Sequence, residues 1–299
     1  MSQEPVLVTA ATGRQGGATA RALLAKGHTN VRVLVRDPHA SKAKALAGAG
    51  AHLAVGDLDD VASLRAACAG VRAVFSMQRP ILTATGVDYS RELQQGRNLV
   101  ESARAEGVST FVHTATSGVG DHREVEGWAE GRWATHETYW ENKLATCELV
   151  RSAGFRRWTI ILPAGFMDHE MFDPAGFVDG RRMVTVIRPD RPLALIDPED
   201  IGRAAAAAIE DPAKFHGVTL QLAGDVLTLP QIAEILSRRD DKEYVVQSGT
   251  FDEAVAAGLH PGIAHGLQWM NVAPLLATPD IARAYGLSPI DFETWARRR

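Results

Sequence analysis

Short, Val-rich apolar runs alternate with longer helical patterns from Val6 to Pro163, and this alternation constrains the fold more than any other feature of the chain. Val6 to Ala10, Val31 to Val35, His52 to Val55, Ala73 to Ser76, Thr110 to Thr114 and Thr159 to Leu162 read as strands. Val31 to Val35 lacks clean apolar–polar alternation, as strands covered on both faces do. Helical patterns lie between them. They run from about Gly17 to Lys26, Ser41 to Leu46, Val61 to Ala69, about Tyr89 to Glu106, and His136 to Ser152. Gly107 and Gly154 stand where the last two should stop. Strands and helices in strict succession, joined by right-handed crossovers, give an α/β fold: a doubly wound parallel sheet, the Rossmann fold.

The rhythm breaks after Pro163. Gly165 to Arg182 is rich in Gly, Asp and Phe and reads as a loop. Asp197 to Glu210 is helical, Val218 to Leu222 is a last core strand, Thr228 to Arg238 is helical, and Glu243 to Val246 is a short strand. Residues 1–164 are therefore expected to form the nucleotide-binding core. Residues 165–299 are expected to form a smaller, mostly helical substrate-binding lobe, with about 190–222 returning to complete the core and a cleft between the two. No internal repeat or low-complexity tract interrupts the chain.

Composition narrows the partners. The chain has 299 residues, 45% of them apolar, and a formal net charge of −4. That is ample for a large core and gives no electrostatic ground for a nucleic-acid or membrane partner. No run of about 18 apolar residues occurs, and the Met-Ser-Gln-Glu-Pro start has no basic or long apolar region. A cytoplasmic protein is expected. Cys68 and Cys147 form no CxxC pair and sit in helical patterns, so buried free thiols are expected. The scattered histidines do not form a zinc helix, and no GxSxG nucleophile turn is present.

The first turn carries the binding chemistry. It reads Val8-Thr9-Ala10-Ala11-Thr12-Gly13-Arg14-Gln15-Gly16-Gly17, between the first strand and the first helix. Backbone N–H groups and the helix dipole face a bound pyrophosphate at such a place. Thr12, Gly13, Arg14, Gln15 and Gly16 are the candidate contacts. Gly13 would permit close backbone approach and Gly16 close helix–strand packing. Ala10 stands where the usual first glycine would be, at a cost of about 1–2 kcal/mol if its φ is positive. At the end of the second strand, where NAD users tend to carry an acid, the chain has Arg36, twenty residues after Gly16. Arg36, with Arg14, could grip a 2′-phosphate, and the expected cofactor is NADP(H). Asp37 beside it weakens that reading, and a solvated surface arginine is the alternative. Asp57 and Leu58 after strand three are candidates for the adenine side, against a plain helix-capping turn. Met77, after strand four, is a further cofactor candidate.

Tyr139 and Lys143, four residues apart, share a helix face. A nearby ammonium favours a phenolate, so such a tyrosine can pass a proton to a carbonyl oxygen as hydride arrives. Lys143 could also hold the nicotinamide ribose. Thr116 is the candidate for orienting the substrate oxygen, since sites gather at the carboxyl ends of parallel strands. The spacing alone is weak and occurs by chance on many helices; its position after strand five is what gives it weight. Trp128, Trp133 and Trp140 cluster around a Gly- and charge-rich segment, as a lid or as ordinary loop packing.

Together these residues resemble the NmrA-like branch of the atypical short-chain dehydrogenase/reductases. The matching stretches are the glycine turn, Val33-Leu34-Val35-Arg36-Asp37, Gly56-Asp57-Leu58-Asp59-Asp60, Lys143 in its helix, Pro163-Ala164-Gly165-Phe166-Met167 and Asp197-Pro198-Glu199-Asp200-Ile201-Gly202. Leu162 and His169 depart from the pattern. The resemblance implies a Rossmann core, preference for NADP(H), and Pro163 and Phe166 among the cofactor contacts. It also implies one of two activities. Some members reduce quinones and aromatic natural products; others bind the nucleotide without known turnover and regulate protein partners, and these generally lack the tyrosine. Tyr139 favours NADPH-dependent reduction of a carbonyl or quinone-like small molecule, partly aromatic or apolar. The competing reading is a redox sensor. A homo-oligomer is compatible with either.

Overall fold

The computed structural model describes residues 4–83 and 86–299; the first three residues, on which the reading of the amino terminus partly rests, lie outside the described residues. The apolar runs of the sequence pair into one seven-stranded sheet. Its strands are β1 (Val6–Val8), β2 (Val31–Val35), β3 (His52–Val55), β4 (Ala73–Ser76), β5 (Thr110–Thr114), β6 (Arg157–Pro163) and β7 (Val218–Leu222). Their order across the sheet is β7-β6-β5-β4-β1-β2-β3, and the pairs from β6 to β3 all run parallel. The order reverses between β1 and β4, the place where a doubly wound sheet binds its ligand beyond the strands' carboxyl ends.

The helices between these strands are α1 (Arg14–Ala25), α2 (Ser41–Gly48), α3 (Val61–Cys68), α4 (Glu92–Ala105), α5 (Ala134–Ser152) and α6 (Pro198–Glu210). Val6, Leu7, Val8, Phe75, Phe111, Val112, Ile160 and Ile161 are wholly buried, which accounts for the unalternating strands. Phe111 stacks on Phe155 with centroids 4.6 Å apart. Helices α1 and α6 pack closely at Gly202, where a Cβ would stand 2.4 Å from the Ala18 carbonyl carbon. Exposed Arg21–Glu199 and Lys26–Glu210 ion pairs join their flanks.

Several boundaries differ from the sequence pattern. β1 ends at Val8, and α1 begins at Arg14, not near Gly17, because Gly13 is the extended residue that starts the helix and its carbonyl accepts the first helical bond, from Gly17. α4 begins at Glu92, three residues after Tyr89. An antiparallel pair, Ile81–Thr83 with Gly86–Asp88, was not anticipated. Three- and four-residue strands are too short to show a period.

The chain divides into two compact units. The first comprises 1–119, 135–162 and 198–220; the second comprises 120–134, 163–197 and 221–299. Residues 120–134 thus group with the second unit, although the sequence pattern set them in the core. That unit's own core gathers Met167, Phe172, Phe177, Tyr244, Phe292 and Trp295 around α7 (Leu229–Asp240). A capping box between Thr228 and Gln231 starts α7. The unit also holds two small sheets: Arg182–Thr185 with Val245–Ser248, and Asp225–Leu227, Leu193–Ile196 and Gly165–Phe166. The expected loop over 165–182 accordingly contains a two-residue strand and two single turns of 3-10 helix. Trp128 and Trp133 pack edge-on against Trp269, and the Trp133 indole donates to the Glu126 carbonyl at 2.9 Å. Within this unit the two tryptophans are core packing. Trp140 is elsewhere, on α5 beside Gly118.

Candidate functional site

Thr9 anchors the glycine turn to the sheet. Its N–H donates to the Phe75 carbonyl at 3.0 Å, and its hydroxyl accepts from the Met77 N–H at 3.2 Å. The turn is thereby fixed to the carboxyl end of β4. Ala10 then takes φ of +50°, the left-handed region, which costs an L-residue about 1–2 kcal/mol. The Gly13 N–H closes the turn on the Ala10 carbonyl at 2.9 Å. At Gly16 a Cβ would lie 2.3 Å from the Thr9 carbonyl oxygen and 2.4 Å from that of Ala10. Only glycine fits there. Gly13 has less need: its Cβ would meet the Ala10 carbonyl at 3.2 Å.

The amino end of α1 has no side-chain cap and no acid in its first turn, and Arg14 is its first residue. The positive end of the helix dipole therefore meets no side-chain cap and no acid of its own first turn. Thr12 is exposed on the turn and Gln15 is buried beneath it. Arg36 is exposed just beyond β2. Its neighbour Asp37 is occupied locally, accepting the His39 N–H at 2.8 Å. After β3, Asp57 accepts the Asp59 N–H at 3.0 Å, and Asp60 caps α3 through the N–H groups of Ala62 and Ser63. The Leu58 carbonyl accepts from Asn98 at 2.9 Å. This segment is thus a capping turn in its internal bonding.

Lys143 does not stand in the open. It is 7% exposed, and its ammonium donates to the Gln78 carbonyl at 3.0 Å and forms an ion pair with Glu92. Glu92 is itself 2% exposed. Around the pair lie further buried polar groups from neighbouring strand ends. Gln78 donates to the Ser76 hydroxyl at 3.0 Å, and Nδ1 of His113 lies 3.3 Å from the same hydroxyl. Burial, reinforced by the Lys143 ammonium, pushes His113 down to about 3, so its imidazole is neutral. Among the described residues the Gln78 Oε1, His113 Nε2 and Thr114 Oγ1 atoms make no hydrogen bond.

Tyr139 is half-buried one turn before Lys143, with the ammonium 5.7 Å from its ring centroid. Tyr89 packs edge-on against it at 5.9 Å, and burial together with Tyr139 and Glu92 raises the Tyr89 phenol. Asn142 fixes this corner by donating to the Tyr89 carbonyl at 2.8 Å. Thr116 follows β5, and its carbonyl accepts from Val119 at 3.3 Å; among the described residues no hydrogen bond joins it to Tyr139. Pro163 and Phe166 belong to the second unit, where Pro163 is buried and Phe166 pairs with Ile196.

Sequence reasoning missed Glu92, Gln78, Ser76 and His113. A usable signal was the histidine that follows the apolar pair Phe111-Val112 inside a strand. Elsewhere, Cys68 and Cys147 are free and buried, and burial raises their thiols to about 12 and about 11. Among the described residues no group of His, Cys, Asp and Glu is arranged to hold a metal, and no helix is long and apolar enough to cross a membrane.

The model of the NmrA-like family matches residues 2–269. The chain belongs to the NmrA-like family. An NAD(P)H azoreductase from Xenophilus azovorans is 26% identical over 92% of this chain and 88% of its own length. Two further curated relatives are matched over only 33% and 34% of their own length. Among solved structures, the Citrobacter sp. triphenylmethane reductase complexed with NADP(H) superposes with a TM-score of 0.79 at 21% identity, covering 98% of this chain and 99% of that one. The negative transcriptional regulator NmrA in complex with NAD superposes with a TM-score of 0.77 at 20% identity, covering 99% and 95%. At these identities the likeness is one of fold, and it places this NmrA-like chain beside both reductases and a regulator.

Proposed function

We propose that this NmrA-like protein is an NADP(H)-dependent reductase of a carbonyl or quinone-like small molecule. One observation carries the reading: inside the first unit, hydrogen bonds tie the glycine turn to the end of β4 and the next residue there to Lys143, whose ammonium lies 5.7 Å from the Tyr139 ring centroid. Thr9 in the turn holds the Met77 N–H; the next residue, Gln78, accepts from Lys143; and Lys143 lies one helical turn from Tyr139. The proposed phosphate end and proton-donor end thus both connect to the carboxyl end of β4.

The residues fit the dinucleotide. The turn at Gly16 has no room for a side chain, and the amino end of α1 offers an uncapped positive dipole for the pyrophosphate, flanked by Thr12, Gly13, Arg14 and Gln15. Arg36 would take the 2′-phosphate, and Asp57 and Leu58 would border the adenine. Met77 and Lys143 would border the nicotinamide half. When bound, NADPH supplies the hydride. Tyr139 would donate the proton to the substrate oxygen, and Thr116 would orient that oxygen. Lys143 has three ammonium donors, of which Gln78 and Glu92 engage two, leaving one for the ribose. The NAD(P)H azoreductase, and the Citrobacter sp. triphenylmethane reductase, linked to bioremediation of triphenylmethane dyes, support a partly aromatic substrate.

The test is oxidation of NADPH, followed by the loss of reduced-nicotinamide absorbance, against quinones, ketones, enones and azo dyes, with Tyr139→Phe in parallel. Turnover that falls at least about a hundredfold in the variant supports the assignment, since a positioned general acid contributes on that order. Turnover that survives removes Tyr139 from the chemistry. NADPH binding without turnover of any compound supports the regulator reading instead.

A further inference from the structure

We infer that the buried Glu92–Lys143 ion pair sets how evenly this protein binds the oxidised and the reduced dinucleotide, with Glu92 acting as a positioning residue that also supplies the counter-charge. The inference rests on the dinucleotide reading of the glycine turn, and it holds for a reductase and a regulator alike.

Gln78 and Ser76 lie at the carboxyl end of β4, and His113 and Thr114 at that of β5. Both strands are on the opposite side of the switch point from β2 and β3. A dinucleotide held by its pyrophosphate at α1, with its adenosine toward Arg36 and Asp57, extends its other half over β4 and β5. That half differs between the two redox forms by one full charge: the nicotinamide ring is cationic when oxidised and neutral when reduced.

Charge in this cluster therefore acts on one form and not on the other. Lys143 is the cation of the cluster, because His113 is held neutral. A buried ammonium without a counter-ion would repel the oxidised ring across a medium far less screening than water. Glu92 cancels that field. Its carboxylate is almost wholly buried and, apart from the ion pair, makes no hydrogen bond among the described residues. It therefore has no other bonded task there, and it comes from α4 for this one partner. A buried ion pair is weak evidence of stabilisation in its own right, since desolvation offsets much of the attraction. A role in setting charge gives the pair a function that an apolar replacement would not reproduce.

The test is fluorescence titration of NADP+ and NADPH into the wild-type chain, Glu92→Gln and Glu92→Gln/Lys143→Met. Glu92→Gln is expected to raise the ratio of Kd for NADP+ to Kd for NADPH on the order of tenfold, and the double variant to bring it back to the wild-type value. If Glu92→Gln does not fold, Lys143→Met removes the opposite partner of the pair and is expected to move the ratio the other way. A ratio that stays constant while both forms weaken alike overturns the inference and leaves the pair a purely structural one. A wild-type chain that binds neither form fails the dinucleotide reading itself, before any variant is considered.

Discussion

The glycine turn and the Lys143 cluster of the first unit are built by different physics. The glycine turn is a backbone construction: its specificity lies in a carbonyl packed where a Cβ would be, an alanine forced to φ of +50°, and a helix end left uncapped. The Lys143 cluster is a side-chain construction: charge and polar groups from β4, β5, α4 and α5 meet in a water-poor interior. The first tolerates almost no change of shape. The second tolerates almost no change of charge.

That contrast orders the expected effects. The largest belongs to Lys143→Met, which strands Glu92 as an unpaired buried acid and should destabilise the fold by about 3–5 kcal/mol in denaturant unfolding. A loss below about 1 kcal/mol would show that the carboxylate finds water and is not truly buried. Next is Gly16→Ala, whose methyl must displace two carbonyl oxygens. About 1–3 kcal/mol and all measurable dinucleotide binding should go with it. Unchanged binding would show the turn to be malleable.

His113 adds a pH dependence to the side-chain end. Folded, it stays neutral down to about pH 3, whereas in the unfolded chain it takes a proton below its ordinary value of 6.5. The unfolded state then binds more protons, so stability falls as pH drops from 6.5 toward 3, by about 1.4 kcal/mol per pH unit from this group. His113→Gln should flatten that part of the slope relative to wild type, and parallel slopes would contradict the burial argument. The smallest effect is a gain. Ala10→Gly relieves the left-handed strain and should stabilise the chain by about 1 kcal/mol, read as a higher Tm.

The same contrast explains what the sequence made legible. A turn made of backbone leaves its constraint in adjacent positions, so Gly13, Gly16 and the flanking strand and helix could be read together, and even the cost of Ala10 could be stated conditionally. The buried cluster leaves no such trace. Ser76, Gln78, Glu92, His113 and Lys143 are spread over nearly seventy positions of the chain, and nothing in the neighbourhood of Glu92 in sequence distinguishes it from a solvated helix-end acid. The Tyr139–Lys143 spacing was visible, but the neutralisation of Lys143 was not, and that changes what the lysine can do. In the second unit, strands of two to four residues fell below the length at which a period can be recognised. The apolar stretch behind α7, by contrast, was plain from its helical spacing.

Selection of NADP(H) by the Arg36 side chain beyond β2 is tested most directly by calorimetric titration of NADPH and NADH into the wild-type chain and Arg36→Ala. The account predicts that NADPH binds on the order of tenfold more tightly than NADH, and that Arg36→Ala abolishes this difference while leaving NADH affinity unchanged. Equal binding of the two by the wild-type chain, or a preference that survives the loss of Arg36, would contradict it.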